Sequence, residues 1–210
     1  MMKYIEFPEG NEYESLYKRY FQKGVEYVGQ HAVGETVLDL CGGTGRLSEY
    51  LKNNGYSVTY LDRCEQMCLL DASYPKIITT VEDFAKSGYS FDSILCMQAI
   101  NYWFNSVDIA AFADCVNKRF VFNTFINRPR DEETVREYEI DGITFKEIYH
   151  MSGDTICHRQ ESYFDGELIS SHYTEFEYIP VSAFYNKLEP YFKIKVIRNG
   201  GSALFICDKK

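Results

Sequence analysis

Apolar residues recur along the first part of the chain with two alternating periods. Short runs rich in branched side chains, such as 36–40 and 57–61, are followed by stretches with helical spacing at 46–52 and 64–72. The same alternation predicts further strands at 76–80, 91–97 and 119–125 and a helix at 106–117. A strand that is followed by a helix returns to the sheet as a parallel neighbour. The pattern therefore predicts an α/β fold with a mostly parallel sheet.

The helical period disappears after residue 130. Residues 131–179 alternate between apolar and polar positions and contain the turn signals Asp141-Gly142, Ser152-Gly153-Asp154 and Asp165-Gly166. This predicts a four-stranded antiparallel meander inserted after the fifth strand. A helix at 181–190 and a hairpin of strands at 193–197 and 203–207 would complete a seven-stranded sheet, and the spacing at 11–33 predicts an amphipathic helix before the first strand.

Charge and cysteine usage exclude several classes of protein. Acidic residues outnumber basic ones by 31 to 22, and the chain has no long basic run, so a nucleic-acid partner is not expected. The seven cysteines are scattered and no histidine completes a zinc set with Cys64 and Cys68, so we expect free thiols, a cytoplasmic location and no metal. No apolar stretch approaches the roughly 18 residues of a membrane span, and no membrane association is expected.

The candidate chemistry lies where the predicted strands end, because open α/β sheets bind ligands beyond the carboxyl ends of their strands. The first strand is followed by Gly42-Gly43-Thr44-Gly45. A dinucleotide fingerprint would need glycine where Ser48 stands, and a phosphate loop would need a lysine that the turn lacks. Asp39, just before the turn, would repel a pyrophosphate. It suits the sulfonium and ammonium groups of S-adenosylmethionine.

Two further strand ends carry an aspartate. Asp62 ends the second predicted strand, at a position suited to the ribose diol. Asp83 follows the third and could accept a hydrogen bond from the adenine amino group, with Phe84 beside it. Together with Gly43 and Gly45, which allow the backbone a close approach, these positions predict S-adenosylmethionine as the cofactor.

The segment Val37-Leu38-Asp39-Leu40-Cys41-Gly42-Gly43-Thr44-Gly45 resembles the first motif of class I S-adenosylmethionine-dependent methyltransferases, with Cys41 in place of the usual first glycine. Residues 36–125 correspond to most of that family's core. The resemblance implies a Rossmann-like three-layer fold and methyl transfer. It implies cofactor contacts by Asp39, Cys41, Gly43, Gly45, Asp62, Arg63, Asp83, Phe84 and Gln98.

The rest of the chain resembles the subgroup with a β-insertion after strand five, which includes glycine and sugar-amine N-methyltransferases. This implies a core of residues 1–130 and 180–210 whose segment 1–33 is a helical lid, and an insertion at 131–179 that covers the acceptor site. It also implies a small-molecule acceptor and a possible homodimer. An amine is favoured, because no Asp-His or Lys-Asp relay that could activate a hydroxyl is visible. The alternatives are a methyltransferase acting on RNA or protein, and a non-enzymatic S-adenosylmethionine-binding module.

Three residues are candidates for a catalytic role. Tyr102 follows the fourth strand, from which class I methyltransferases face the methyl group; the segment lacks the prolines of an Asn-Pro-Pro-Tyr motif, which weighs against a nucleobase acceptor. Tyr17 lies on the expected lid, where a role in helix packing explains it equally well. His158 lies in the expected meander and is either a sheet-surface histidine or a general base.

Overall fold

The computed structural model describes residues 23–129, 131–140 and 142–210. They form two compact units, one made of residues 23–126 with 180–210 and the other of residues 127–179. The strands in chain order are β1 (Thr36–Leu40), β2 (Ser57–Asp62), β3 (Lys76–Ile78), β4 (Phe91–Cys96), β5 (Val116–Phe125), β6 (Thr134–Ile140), β7 (Ile143–Ser152), β8 (Thr155–Phe164), β9 (Glu167–Glu177), β10 (Phe192–Asn199) and β11 (Ser202–Lys209). The helices are α1 (23–29), α2 (Arg46–Asn53), α3 (Val81–Phe84), α4 (Ile109–Asp114) and α5 (Val181–Leu188), with 3-10 turns at Glu65–Met67 and Ile100–Tyr102.

The larger unit is built on a seven-stranded sheet with the order β3-β2-β1-β4-β5-β11-β10. Strands β3, β2, β1, β4 and β5 run parallel to one another. Strand β11 runs antiparallel to both β5 and β10. Strand order reverses beside β1, whose Asp39 lies opposite Tyr60 on β2 and Leu95 on β4. This confirms the predicted Rossmann-like fold with a mostly parallel seven-stranded sheet, and it makes the carboxyl end of β1 the place where a ligand should bind.

The sheet is covered by apolar side chains from the helices. Leu47 and Leu51 of α2 pack with Val28 of α1 and Val37 of β1 in one cluster of fully buried residues. The second large group is aromatic and consists of stacked, tilted or edge-on rings from β5, β11, α4 and α5, among them Phe112, Phe120, Phe122, Phe184 and Phe205. Much of the high aromatic content therefore serves packing.

The prediction of a helix at 64–72 is wrong, because only the 3-10 turn Glu65–Met67 forms. Beyond it, the N–H of Leu69 bonds to the carbonyl of Thr44 rather than to its own segment, at 3.3 Å. Leu70 is buried against Gly45, where an added Cβ would lie only 2.4 Å from the Leu70 side chain. The glycine turn after β1 therefore draws this segment across itself, and the tertiary contact overrides the helical spacing.

Two other elements are shorter than expected. The helix predicted at 106–117 spans only Ile109–Asp114, since the side chain of Asp108 caps it by accepting from the N–H groups of Ala110 and Ala111. The chain then enters β5 at Val116, earlier than expected, because this residue pairs with Phe91. Of the helix predicted at 11–33, residues 23–29 are helical and residues 30–33 are not, so the helix ends earlier than expected; residues 11–22 lie outside the described residues.

The smaller unit contains a four-stranded antiparallel sheet with the order β6-β7-β8-β9. Each strand pairs with the next, and the hairpins close between Ile140 and Ile143, between Ser152 and Thr155, and between Phe164 and Glu167. The three turns fall where the Asp-Gly and Gly-Asp signals stand, which confirms the predicted meander. None of the described helices has the length and apolar character needed to cross a membrane.

Candidate active site

The turn after β1 is held by its own backbone. The N–H of Gly42 donates to the carbonyl of Leu61, and the N–H of Gly45 donates to the carbonyl of Gly42. Gly43 and Gly45 have φ angles of 56° and 91°, in the left-handed region. An added Cβ on Gly43 would meet nothing within 4 Å, whereas one on Gly45 would collide with Leu70. Gly43 therefore borders open space at the end of the strand.

Asp62, the last residue of β2, is tied to this turn. Its Oδ2 accepts from the N–H of Gly43 at 3.0 Å, and its Oδ1 accepts from the N–H of Cys64 at 2.9 Å. Burial raises the pKa of Asp62, and the hydrogen bonds from Cys64, Gly43 and Arg63 oppose that rise. The carboxylate is thus fixed in orientation and keeps lone pairs for a ligand, since it offers about four acceptor sites.

Asp39 on β1 is more deeply buried than Asp62, and only 1% of it is exposed. The hydroxyl of Ser48 on α2 donates to its Oδ2 at 2.7 Å. Burial raises the pKa of Asp39 to about 7, against the effect of the Ser48 hydrogen bonds. A bound cation would favour its ionised form. A Cβ on Gly42 would lie 2.6 Å from the Tyr60 ring and 2.9 Å from Oδ2 of Asp39, so both residues require glycine there.

Two strained backbone positions lie at the ends of neighbouring strands. Cys41 after β1 and Gln98 after β4 are non-glycine residues with φ angles of 58° and 59°. Such conformations cost about 1–2 kcal/mol each and persist where surrounding structure enforces them. Cys41 is partly exposed, and its hydrogen bond with the buried Cys96 raises its pKa further above the usual thiol range. The strained positions coincide with two of the predicted cofactor contacts.

The segment after β4 is anchored to β5. The N–H of Gln98 donates to Oδ1 of Asn123 at 2.8 Å, which leaves the Gln98 side chain exposed. Asn101 is buried, and its Oδ1 accepts from the hydroxyl of Thr124 at 2.6 Å. Tyr102 is half-buried and follows directly. These bonds hold the segment that carries Gln98 and Tyr102 in one position at the carboxyl end of the sheet.

Arg63 is the basic side chain that follows β2 directly. It is exposed, and burial of part of the group lowers its pKa while the charges of Glu82 and Tyr102 raise it. Glu82 in turn accepts a short hydrogen bond from Ser106. Arg63 and Tyr102, predicted from separate strands, therefore influence each other electrostatically at the same edge of the sheet.

The third acidic position is arranged differently from the first two. Asp83 lies within α3 and is exposed; its N–H and its Oδ2 both bond the side chain of Thr80, which caps the helix. Phe84 is 1% exposed and packs against Phe91. A role of Asp83 at the adenine would therefore use the oxygen that Thr80 does not hold. The N–H of Phe84 already donates to the carbonyl of Thr80 at 3.0 Å. Both assignments stay predictions.

The other two catalytic candidates, Tyr17 and His158, do not lie among the described residues at the carboxyl end of the seven-stranded sheet. Tyr17 lies outside the described residues. His158 lies on β8 of the smaller unit, half-buried and stacked on Tyr149 with ring centroids 4.2 Å apart. Burial lowers the pKa of His158 to about 4. Its imidazole is therefore neutral near pH 7.

Three residues that shape the site were not predicted from the sequence. Tyr60 donates its hydroxyl to the carbonyl of Gly43 at 2.7 Å, Ser48 binds Asp39, and Asn123 binds the backbone of Gln98. Tyr60 could have been found, because it lies two residues before Asp62 and so shares its face of the strand. Ser48 lies nine residues after Asp39 and Asn123 lies 25 residues after Gln98, and neither pairing has a local sequence signal.

The arrangement fits S-adenosylmethionine and not a phosphate. A phosphate loop presents its backbone N–H groups to the ligand, but those of Gly42, Gly43 and Gly45 are taken by protein oxygens. Asp62 lies beside Gly43, and Asp39 is buried beneath the turn near Gly42. Asp62 would hold the ribose hydroxyls, and the acidic strand ends would favour the positive sulfonium and ammonium groups.

Comparisons with known proteins agree with this geometry. Residues 38–127 match the family described as "Methyltransferase domain". No curated protein matches the chain by sequence. The similar solved structures include a sugar N-methyltransferase, KedS8, from Streptoalloteichus sp ATCC 53650, with 16% identity, a TM-score of 0.69, and coverage of 100% of this chain and 97% of that chain.

Two other solved structures are similar over their whole length. DesVI of Streptomyces venezuelae has 15% identity and a TM-score of 0.73, covering 98% of this chain and 100% of that chain. CalS10 of Micromonospora echinaspora, an amino pentose methyltransferase solved with S-adenosylmethionine bound, has 13% identity and a TM-score of 0.68, covering 100% of both chains. Residues 38–127 thus match a methyltransferase domain, and the strand order and the whole-chain structural matches show the fold of the class I S-adenosylmethionine-dependent methyltransferases.

Proposed function

We propose that this enzyme transfers the methyl group of S-adenosylmethionine to an amine of a small molecule, and that residues 131–179 contribute the acceptor site. The use of S-adenosylmethionine is supported by one observation: Asp39 and Asp62 lie at a turn whose glycine N–H groups are already bonded within the protein. The formal charge of −9 supports a cationic acceptor, because it attracts ammonium compounds and repels phosphate backbones. The similarity to KedS8 and CalS10 supports a sugar-like amine.

When bound, S-adenosylmethionine supplies a methyl group that is already activated by its sulfonium, so the protein contributes mainly alignment and exclusion of water. In the proposal, Asp62 orients the ribose and Gly43 lets the backbone approach. Asp39 supplies negative charge below the turn once its proton has left. The cofactor contacts of Cys41, Gly45, Arg63, Asp83, Phe84 and Gln98 are part of the same proposal.

The acceptor must reach the methyl group as a neutral amine, because an ammonium has no lone pair. We assign Tyr102 to the orientation of this amine, since its segment is anchored through Asn101 and Gln98. With a pKa of about 4, His158 is unprotonated at neutral pH. Such a ring orients a ligand by hydrogen bonding more effectively than it stores a proton. Tyr17 keeps its proposed place on the lid.

The test is release of S-adenosylhomocysteine from full-length enzyme offered small amines, phenols, carboxylates, an RNA and a peptide in parallel. We expect turnover with amines, and with aminohexoses above simple alkylamines. Turnover with phenols, carboxylates, RNA or the peptide alone would contradict the proposed acceptor. Cofactor binding without turnover on any of them would favour a non-enzymatic module. Asp62→Ala is the control, since it should reduce turnover on every acceptor.

A further inference from the structure

The two backbone polar groups of Gly43 are both held by side chains of β2. Its N–H donates to Oδ2 of Asp62 at 3.0 Å, and its carbonyl accepts from the hydroxyl of Tyr60 at 2.7 Å. Tyr60 and Asp62 are two positions apart, so their side chains share one face of the strand. Because peptide groups are planar, these two bonds fix the orientation of the backbone on both sides of Gly43.

Gly43 depends on these bonds more than its neighbour in the turn does. Its φ of 56° is left-handed, and a Cβ placed on it would meet nothing within 4 Å. Gly45 is also left-handed, but Leu70 packs directly against it. The conformation of Gly43, which borders open space, is therefore held by hydrogen bonds from β2 rather than by packing.

Tyr60 is fitted closely into this place. It is 0% exposed and lies opposite Asp39 in the register of β1 and β2. A Cβ on Gly42 would lie 2.6 Å from its ring, and the φ of Gly42 lies outside the left-handed region. Glycine at position 42 is therefore explained by the space that Tyr60 and Asp39 need, and not by the backbone conformation.

The Tyr60 hydroxyl is a permanent donor. Burial raises the pKa of Tyr60, and the charges of Asp62, Cys68 and Asp39 raise it further, so the hydroxyl keeps its proton at neutral pH. Without this donor the carbonyl of Gly43 would lose its partner, which is costly for a buried group. The carbonyl would then turn away, and the planar peptide between Gly43 and Thr44 would rotate with it.

We infer that Tyr60 is a positioning residue of the cofactor site: by holding the carbonyl of Gly43, it sets the turn in the shape that binds S-adenosylmethionine. Because Tyr60 is fully buried, it acts through Gly43 and does not touch the ligand. The inference deepens the proposed function and rests on it in taking S-adenosylmethionine as the ligand of this turn. It makes β2 a source of two groups that act on the site, Asp62 and Tyr60.

The test compares full-length wild type with Tyr60→Phe and Tyr56→Phe, by calorimetry with S-adenosylhomocysteine and by thermal unfolding. Tyr56→Phe is the matched control. The hydroxyl of Tyr56 donates to the carbonyl of Ala32 at 3.1 Å, which is the same kind of bond. Tyr56 precedes β2 and so lies at the end of the strand away from the turn.

We expect Tyr60→Phe to bind S-adenosylhomocysteine about threefold to tenfold more weakly than wild type, the range for one hydrogen bond. Tyr56→Phe should keep wild-type affinity. Both variants should unfold a few degrees lower, because each leaves a backbone carbonyl without its donor. With an amine that wild type methylates, the KM for S-adenosylmethionine should rise in Tyr60→Phe, while kcat at saturating cofactor stays within about twofold.

A second variant tests the fit between Gly42 and the Tyr60 ring. The methyl group of Gly42→Ala should displace the ring and break its bond to Gly43, so cofactor affinity should fall. Tyr60→Phe should then cost little further affinity in the Gly42→Ala background, since residues that act as one unit are not additive. Fully additive losses would count against the inference.

Wild-type affinity in Tyr60→Phe would overturn the inference. So would an equal loss of affinity in Tyr56→Phe, which would show that general destabilisation lowers binding. A fall in kcat at saturating cofactor without a change in KM would also contradict a role at the cofactor. If wild type itself binds no S-adenosylhomocysteine, the proposed function fails first, so the two failures are distinguishable.

Discussion

Ser48 donates a 2.7 Å hydrogen bond to the carboxyl of Asp39, which is buried beneath the glycine turn with a pKa of about 7. Between the ordinary value of 3.8 and this value, the unfolded chain has lost the proton while the folded chain keeps it. The folded state binds more protons, so the Asp39 contribution to the free energy of unfolding falls as pH rises through that window and is level above it.

Replacement of Asp39 by Asn removes this contribution. We expect the stability of wild type relative to Asp39→Asn to fall by roughly 4 kcal/mol between about pH 4 and 7, from about 1.4 kcal/mol per pKa unit. Urea unfolding of the cofactor-free proteins across this range measures it. Asp71→Asn is the control of opposite sign, because the pKa of this exposed carboxyl is lowered by hydrogen bonds from Ser73. A pH-independent difference for Asp39→Asn would show that Asp39 is ionised throughout.

Asp62 should contribute to cofactor affinity and to the shape of the turn. We expect Asp62→Ala to weaken S-adenosylhomocysteine binding by about 1.5–3 kcal/mol, the cost of losing a hydrogen bond to a charged group. Asp62→Asn keeps an oxygen for the N–H of Gly43 and should lose less. Calorimetry on both variants measures this. Wild-type affinity in Asp62→Ala would show that the ribose is held elsewhere.

Gly43 and Gly45 should separate binding from folding. A Cβ on Gly43 enters open space, so Gly43→Ala should cost about 1–2 kcal/mol of stability through its left-handed backbone. It should weaken cofactor binding about tenfold or more by blocking the close approach. Gly45→Ala adds a collision with Leu70, and overpacking costs a further 1–3 kcal/mol or so.

Thermal unfolding and calorimetry of the two glycine variants decide between these effects. If the cofactor lies beside Gly43, Gly43→Ala should lose more cofactor affinity than Gly45→Ala for each kcal/mol lost from the free energy of unfolding. The opposite order would place the cofactor on the Leu70 side of the turn.

The insertion should be needed for turnover rather than for cofactor binding. Every predicted cofactor contact lies in the larger unit, so replacing residues 131–179 by a short Gly/Ser linker should abolish methyl transfer. The variant should still bind S-adenosylhomocysteine with near wild-type affinity. Circular dichroism establishes that the shortened chain is folded. Loss of cofactor affinity in a folded variant would mean that the insertion contributes to the cofactor site.

Several features follow from the sequence alone because their cause is local. The alternation of strands and helices, the Asp-Gly turns of the meander and the change of period after residue 130 depend on neighbours within a few positions. The glycine turn, Asp39 near the end of β1 and Asp62 at the end of β2 were likewise predicted, since an acid near a strand end is visible in the sequence.

Other features could not be predicted because they depend on residues far apart in the chain. The segment 64–72 has helical spacing, yet Leu70 packs on Gly45 and the helix is lost. The hydrogen bond from the N–H of Gln98 to Asn123 joins residues 25 positions apart. Both contacts arise only in the folded state.

The sequence by itself determined the class of this protein: an alternating α/β pattern, a glycine turn unsuited to phosphate, and acidic strand ends that specify S-adenosylmethionine. Only the tertiary structure decided which groups are charged and which are paired. Burial of Asp39 under the turn sets its pKa, Tyr60 and Asp62 occupy the polar groups of Gly43, and strand register places His158 opposite Thr174. The physical reason is that desolvation and cross-strand pairing arise from the folded neighbourhood, which adjacent residues in the sequence do not encode.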